Sequence, residues 1–171
     1  MPTKPPPEFL EELGWIAIRW SGLEMLIETS CAHLFKAGFI VTSDKKPPRP
    51  FNARIKFIRQ SLAHPAFVHL RCDYEPALRE AQALSVERND LMHGAFTSWS
   101  SGAIRQTLAK SADVGYIAIQ DVSVSEANLE DLAERIGAAF AAHFNLQDRM
   151  KSIIRAYDGS SNIGRRATFD E

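Results

Sequence analysis

The sequence predicts a mainly α fold, a bundle of about four helices with a small antiparallel β insertion between the third helix and the last. Long stretches of the chain repeat apolar residues at steps of three and four, which places them on one face of an amphipathic helix. Between residues 95 and 122 this spacing gives way to alternating β-favouring residues. A length of 171 residues is enough for one domain with a substantial core.

The composition is that of an ordinary globular protein, with 45% hydrophobic and 24% charged residues. Residues 1–7 form a polar, Pro-rich leader without the apolar stretch of a secretory signal. No segment approaches the roughly 20 consecutive apolar residues that a membrane-spanning helix needs. We therefore expect a cytoplasmic location and no membrane association.

The cysteines and histidines show no spacing typical of a metal site or a disulfide framework. We expect Cys31 and Cys72 to be reduced, packed thiols. Surface exposure or core packing is expected for four histidines, namely His33, His64, His69 and His143. The sequence thus predicts neither a metal nor a cofactor.

The first helix is predicted to begin at Pro7, because proline favours the first helical position and acidic residues follow it directly. Its main apolar face comprises Leu13, Ile16, Trp20, Leu23, Ile27 and Leu34. A second apolar face comprises Trp15, Ile18 and Met25. The helix is therefore expected to be buried on two sides, one of which could contact a partner chain.

Two further helices are predicted before residue 94. Residues 43–50 contain three prolines and predict a loop, which a short helix from about Asn52 to Ala63 follows. Asp73 is the expected N-cap of the third helix, which then runs to His93. Gly94 supports this end, since glycine adopts the left-handed conformation that commonly terminates helices.

The β insertion is predicted to contain a hairpin of strands Ala95–Trp99 and Ala103–Ala109, with a third strand over Tyr116–Val122. A capping-box spacing at 123 and 126 opens the last helix. We assign residues 8–157 to a single helical domain and residues 158–171 to a flexible tail.

The charge is unevenly distributed, although the net charge is only −1. Residues 45–72 hold seven basic residues and no acidic one. One interpretation is a solvated surface whose charge is compensated by distant acids. The other is a track for phosphates, in which Arg54, Lys56 and Arg59 would bind RNA.

The third helix carries an arginine where an apolar residue is expected. Arg88 lies within a stripe of helical spacing that contains Ala77, Ala81, Leu84 and Leu91. Burying a guanidinium costs roughly several kcal/mol unless an anion or a hydrogen-bonded partner accompanies it. His93 is expected at the end of the same helix, where the dipole favours imidazolium by about 0.3 to 1 kcal/mol.

Arg88 and His93 do not share one face of this helix, since five residues turn about 140° and rise about 7.5 Å. Two such helices crossing about a two-fold axis would bring two arginines and two histidines into one cleft. The spacing therefore predicts a homodimer.

Arg88, Asn89 and His93, with four residues between arginine and histidine late in a helix, resemble the motif of the HEPN superfamily. The predicted order of elements over roughly Glu8 to Tyr157 is also similar to that family. The resemblance implies a dimeric, metal-independent endoribonuclease. In it His93 would assist proton transfer at the 2′-hydroxyl or the departing oxygen, and Arg88 would stabilise the transition state. Asn89 would orient the scissile phosphate or His93.

Other interpretations of the same residues stay open. Family members often act as toxins or defence nucleases, which would add a cognate antitoxin or regulatory protein as a partner. A non-catalytic HEPN-like module could instead bind RNA, a nucleotide or a protein through the same cleft. In a third interpretation the motif is structural, with Arg88 paired to Glu87, Asp90 or a neighbouring helix and His93 capping its own helix.

Overall fold

The computed structural model describes residues 4–40, 44–93, 95–98, 103–110 and 117–166, with the backbone alone for residues 95–122 and 158–166 of these ranges. Its helices are α1 (Pro7–Ala37), α2 (Phe51–Ser61), α3 (Val68–His93) and α4 (Glu126–Arg166). A 3₁₀ turn over Pro65–Phe67 precedes α3, and the strands are β1 (Ala95–Ser98), β2 (Ala103–Lys110) and β3 (Ile117–Val124). The prediction of a mainly helical fold is confirmed.

The three strands form an antiparallel sheet of order β1-β2-β3, located in the chain between α3 and α4. β2 and β3 pair along their whole length, from Ala103 opposite Val124 to Lys110 opposite Ile117. The pairing of β1 with β2 shifts register beyond Phe96. Gly94, Trp99 and Tyr116, which the sequence predicts to bound α3 or a strand, lie outside the described residues.

Residue contacts divide the chain into two compact units. Unit 1 comprises residues 1–20 and 83–137, and unit 2 comprises residues 21–82 and 138–171. Each boundary falls inside α1, α3 or α4, so no linker composition marks it. This is why the sequence predicts a single domain over residues 8–157.

The core of unit 1 is formed by α1, the end of α3, the end of β3 and the start of α4. Its buried apolar side chains are Phe9, Ile16, Trp20, Leu84, Leu91, Val124, Leu129, Leu132, Ala133 and Ile136. The predicted main face of α1 thus supplies core residues. Its second face does not, because Trp15 and Ile18 are 45% and 65% exposed, so the predicted two-sided burial is wrong for the single chain.

The core of unit 2 combines a large apolar cluster with a buried polar network. Fully buried members include Leu23, Ile27, Leu34, Ile55, Ile58, Phe67, Leu70, Leu78 and Met150. Within the core, the Gln147 amide donates to the Leu26 carbonyl, Thr29 Oγ1 and Ser30 Oγ at 3.2, 2.8 and 3.2 Å. The Tyr74 hydroxyl also donates to Ser30, and its burial raises its pKa to about 12. These bonds satisfy polar groups that would otherwise be costly to bury.

The start of α3 differs from the prediction. Asp73 is not an N-cap, because α3 already begins at Val68, directly after the 3₁₀ turn. The turn is itself capped, since the Ala66 amide donates to the His64 ring nitrogen at 3.2 Å. Asp73 therefore lies inside α3, where its carboxylate pairs with Arg149 at 2.8 Å.

The prediction for the cysteines needs correction in part. Cys31 is buried, which raises its pKa to about 11, but Cys72 is exposed on α3 and is not a packed thiol because it lies off the apolar stripe. The helix α4 extends to Arg166, and residues 167–171 lie outside the described part. The flexibility of residues 158–171 stays a prediction. Among the described residues, no helix is long and apolar enough to cross a membrane.

We expect His143 to make unit 2 less stable in mild acid. Its buried ring forms a hydrogen bond with the Ala77 carbonyl oxygen at 3.1 Å. Burial lowers the pKa of His143 below the ordinary 6.5, and the hydrogen bond partly opposes this shift. The unfolded chain therefore binds the proton more tightly, and stability falls as pH drops from about 6.5 toward the lowered folded-state pKa.

The measurement is urea unfolding of wild type and His143→Gln between pH 8 and pH 5. Glutamine keeps a donor for the Ala77 carbonyl oxygen but does not titrate, so the variant should lose less stability on acidification. The exposed His33→Gln variant serves as the control and should follow wild type. Parallel pH profiles for wild type and His143→Gln would contradict the prediction.

Candidate functional site

The end of α3 places Arg88 on the core-facing side of unit 1. Leu84 and Leu91, one turn before and one turn after it, are buried, and Arg88 itself is half-buried. Its Nε atom is buried and has no hydrogen-bond partner among the described residues. The position of the guanidinium follows from helical periodicity, as the sequence predicts.

Asn89 and Trp20 both contact the Arg88 guanidinium. Its Nη1 donates to Asn89 Oδ1 at 3.0 Å. Its central carbon lies 5.8 Å from the centroid of the Trp20 ring, within the range of a cation–π interaction. Both contacts fix the guanidinium in place, but neither partner carries a formal negative charge.

The acidic residue next to Arg88 is used elsewhere in unit 1. Arg135 of α4 donates to both carboxylate oxygens of Glu87, from Nη1 at 2.9 Å and from Nη2 at 2.8 Å. This bidentate pair is the stronger geometry for an arginine and a carboxylate. No carboxylate pairs with Arg88 in the described part of the chain, so the interpretation in which Glu87 neutralises it is wrong.

His93 is the last residue of α3, and its side chain is exposed. The structure links Arg88 to Asn89 directly, whereas Arg88 and His93 are separated by about 7.5 Å along the helix and about 140° around it. A single chain therefore presents the arginine toward the core side of α3 and the histidine on another side. The two groups can act together only through a long ligand or a second copy of the helix.

An open cavity of about 330 Å³ lies in unit 1 beside the motif residues. It is lined by Glu87, Asp90 and Leu91 of α3, Ser123 and Val124 of β3, and Asn128, Leu129 and Leu132 of α4. Asp90 precedes His93 by three residues, so the two side chains are neighbours on the helix surface. The cavity therefore borders the turn of α3 that carries the histidine.

The basic segment of residues 45–72 is partly compensated within unit 2. Arg54, only 11% exposed, pairs with Glu28 at 3.0 Å and Glu24 at 3.6 Å. Arg59 donates from Nε to Glu75 at 3.1 Å and from Nη1 to the Gln82 amide oxygen at 2.7 Å. A phosphate would have to displace these partners to reach either arginine.

Lys56 differs from the two arginines, because its side chain is exposed. Of the three residues predicted to bind RNA, it is the one most accessible to a phosphate. The RNA-contact role of Arg54, Lys56 and Arg59 stays a prediction.

Sequence reasoning missed three contributors to this site. Trp20 is predicted only as a member of the main apolar face of α1, and the structure adds its contact with Arg88. Arg135 and Asn128 lie on α4 and carry no local signal, because their roles depend on how α4 is rotated against α3. The Glu87–Arg135 pair joins residues 48 positions apart, beyond the reach of any spacing rule along one helix.

No group of three His, Cys, Asp or Glu residues able to hold a metal ion occurs within the described ranges. Comparisons with protein-family models, with curated proteins and with solved structures found no match to this chain. The function must therefore be argued from the site itself.

We expect Arg88→Met to raise the free energy of unfolding by about 1 kcal/mol, because an orphaned buried donor costs about 1 to 3 kcal/mol. Methionine keeps an unbranched apolar side chain at this half-buried position and removes the Nε donor. Urea unfolding at neutral pH measures the change. The matched control, Arg135→Met, breaks the half-exposed pair with Glu87 and should be neutral or lose up to about 1 kcal/mol. Destabilisation by Arg88→Met as large as that of the control would contradict the prediction.

Proposed function

We propose that this protein is a HEPN-like, dimeric, metal-independent endoribonuclease in which Arg88, Asn89 and His93 act on a phosphodiester. The observation that carries the proposal is the uncompensated Arg88 guanidinium, half-buried and without a carboxylate among the described residues. A cation in this environment is stabilised by an anionic ligand. The two non-bridging oxygens of a phosphodiester match the planar fork of a guanidinium.

The proposed reaction uses the ribose 2′-hydroxyl as the nucleophile. Its oxygen attacks phosphorus, the bond from phosphorus to the 5′-oxygen breaks, and the products are a 2′,3′-cyclic phosphate and a 5′-hydroxyl. His93 would take the 2′-hydroxyl proton or protonate the departing oxygen, a role supported by its exposure at a helix C-terminus. Because DNA lacks the 2′-hydroxyl, it would not be cleaved.

Arg88 and Asn89 would act on the phosphate. The hydrogen bond from Arg88 Nη1 to Asn89 Oδ1 holds the guanidinium before a ligand arrives, which lowers the reorganisation needed in the transition state. Negative charge grows on the non-bridging oxygens as the 2′-oxygen attacks. A preorganised cation stabilises that charge more than it stabilises the ground state.

A homodimer would bring together Arg88 and His93 groups that lie apart within one chain. Unit 1 exposes Leu10, Trp15 and Ile18 on α1 at 46%, 45% and 65%. Val86 and Met92 of α3 are also exposed, at 60% and 40%. Exposed large apolar side chains are common at protein interfaces, and a two-fold contact would use the same residues of both copies. Such a contact could place His93 of one copy beside Arg88 of the other.

We expect wild type to be a dimer at micromolar concentration and Ile18→Glu to be a monomer that no longer cleaves RNA. A carboxylate at this position would have to be buried unpaired at the two-fold contact, at a cost of several kcal/mol, roughly. Light scattering coupled to size-exclusion chromatography measures the state. Val68→Glu, at an exposed apolar position of unit 2, is the control and should stay dimeric. A monomeric wild type would overturn the dimer.

We expect His93→Ala to reduce RNA cleavage by about 10² to 10⁴ while the dimer and most RNA affinity are kept, because a proton-transfer group acts mainly in the transition state. His69→Ala is the control, an exposed histidine elsewhere on α3. Cleavage should persist in a chelator and leave 2′,3′-cyclic phosphate ends. A wild type that binds single-stranded RNA but cleaves it no faster than His93→Ala would overturn the nuclease and favour a binding module.

A further inference from the structure

The lining of the unit 1 cavity includes acidic and amide side chains. Glu87 is engaged on both oxygens by Arg135, so it is not free to bind a ligand. Asp90, in contrast, forms no ion pair with any described residue. Its carboxylate is a charged acceptor in the cavity lining and lies one helical turn before His93.

Asn128 supplies the complementary donor. Its Oδ1 accepts from the Ser125 amide at 3.0 Å and from the Ser125 hydroxyl at 2.6 Å, which caps α4 and fixes the orientation of the side chain. These contacts use only the oxygen of the Asn128 amide. Its NH₂ group has no acceptor in the described part of the chain. The cavity thus offers a carboxylate acceptor and an oriented amide donor.

Of the remaining lining residues, Ser123 carries a hydroxyl and the other four are apolar. Leu91, Val124, Leu129 and Leu132 form a wall against which a flat ring could pack. The volume of the cavity, about 330 Å³, falls in the range of small-molecule sites. A planar group with a polar edge and two apolar faces fits this arrangement, and a nucleobase is such a group.

The polar pattern distinguishes the four bases of RNA. A carboxylate accepts best from two adjacent donors, and guanine alone presents them, as N1–H beside the exocyclic 2-amino group. The O6 acceptor of guanine follows on the same edge and matches the Asn128 amide. Adenine and cytosine each present one amino donor next to an unprotonated ring nitrogen, and uracil presents one N–H between two carbonyls, all of which would face the carboxylate with an acceptor.

We propose that this cavity binds guanine, with Asp90 accepting from N1–H and the 2-amino group and Asn128 donating to O6. The proposal rests on the proposed endoribonuclease function, for which it names the specificity: cleavage next to a guanosine. Asp90 and His93 are neighbours on α3, so a base held by the first would bring its own ribose and phosphate close to the second. The helix end would thereby couple base selection to proton transfer.

Nucleotide binding tests the pocket without requiring cleavage. Guanosine 3′-monophosphate should bind wild type at least 10-fold more tightly than the adenosine, cytidine and uridine 3′-monophosphates, measured by calorimetric titration. Asp90→Asn should lose this preference, since it places a donor opposite N1–H. Asn128→Asp keeps the oxygen that caps α4 and removes the amide donor, and it should also lose the preference. Glu130→Gln makes the same change of charge as Asp90→Asn at an exposed residue outside the cavity lining and should bind as wild type does.

Cleavage of single-stranded oligonucleotides with one variable position separates the two proposals. Selective cleavage at guanosine in wild type, with selectivity lost in Asp90→Asn, supports both. Selective guanosine monophosphate binding without cleavage of any RNA supports the pocket and overturns the nuclease. Cleavage with no base preference, together with equal binding of the four nucleotides, overturns the pocket and leaves the nuclease intact. Thermal melting verifies that each variant is folded, as expected for substitutions at exposed positions.

Discussion

The charge of Arg88 is the constraint from which the character of unit 1 follows. A guanidinium cannot lose its proton at ordinary pH, so its burial beside Leu84 and Leu91 is unfavourable unless a partner stabilises the charge. The chain provides the Trp20 ring and the Asn89 amide oxygen, and directs the adjacent Glu87 carboxylate to Arg135. Among the described residues, this arrangement fixes the position of the cation without neutralising it. In the proposed function, the stability lost here would be offset by a bound anion, a pattern common at functional sites.

Much of the helical fold could be predicted, because periodicity and capping are properties of short segments. Pro7 begins α1 and His93 ends α3 where the sequence predicts them. The predicted start of α3 at Asp73 is wrong, because a 3₁₀ turn capped by His64 leads directly into the helix. A second cap at Asp73 is therefore unnecessary. The second face of α1 was expected to be buried because apolar spacing says which residues share a face, but not whether anything covers that face.

The candidate site was predictable along α3 but not across helices. Arg88 and His93 could be located from a stripe and a terminating glycine, whereas Trp20, Arg135 and Asn128 depend on the rotation of α1 and α4 about their own axes. The same limit explains the basic segment. A run without acids looks uncompensated in sequence, yet Arg54 pairs with Glu28 of α1 and Arg59 with Glu75 of α3. Acids from other helices therefore decide whether the basic residues of this segment are free to bind phosphates.

The division of roles along the end of α3 has a geometric origin. Arg88, on the stripe, contacts the buried Trp20 ring and the exposed Asn89, while Asp90 and His93 are exposed and lie on other sides of the helix. In the proposed function, the Arg88 that binds a phosphate and the Asp90 that binds a base need not belong to the same protein chain. In the proposed two-fold dimer, the separation of about 140° that prevents cooperation within one helix would allow cooperation between two helices. The same spacing that makes a single helix a poor site thus gives a reason for assembly.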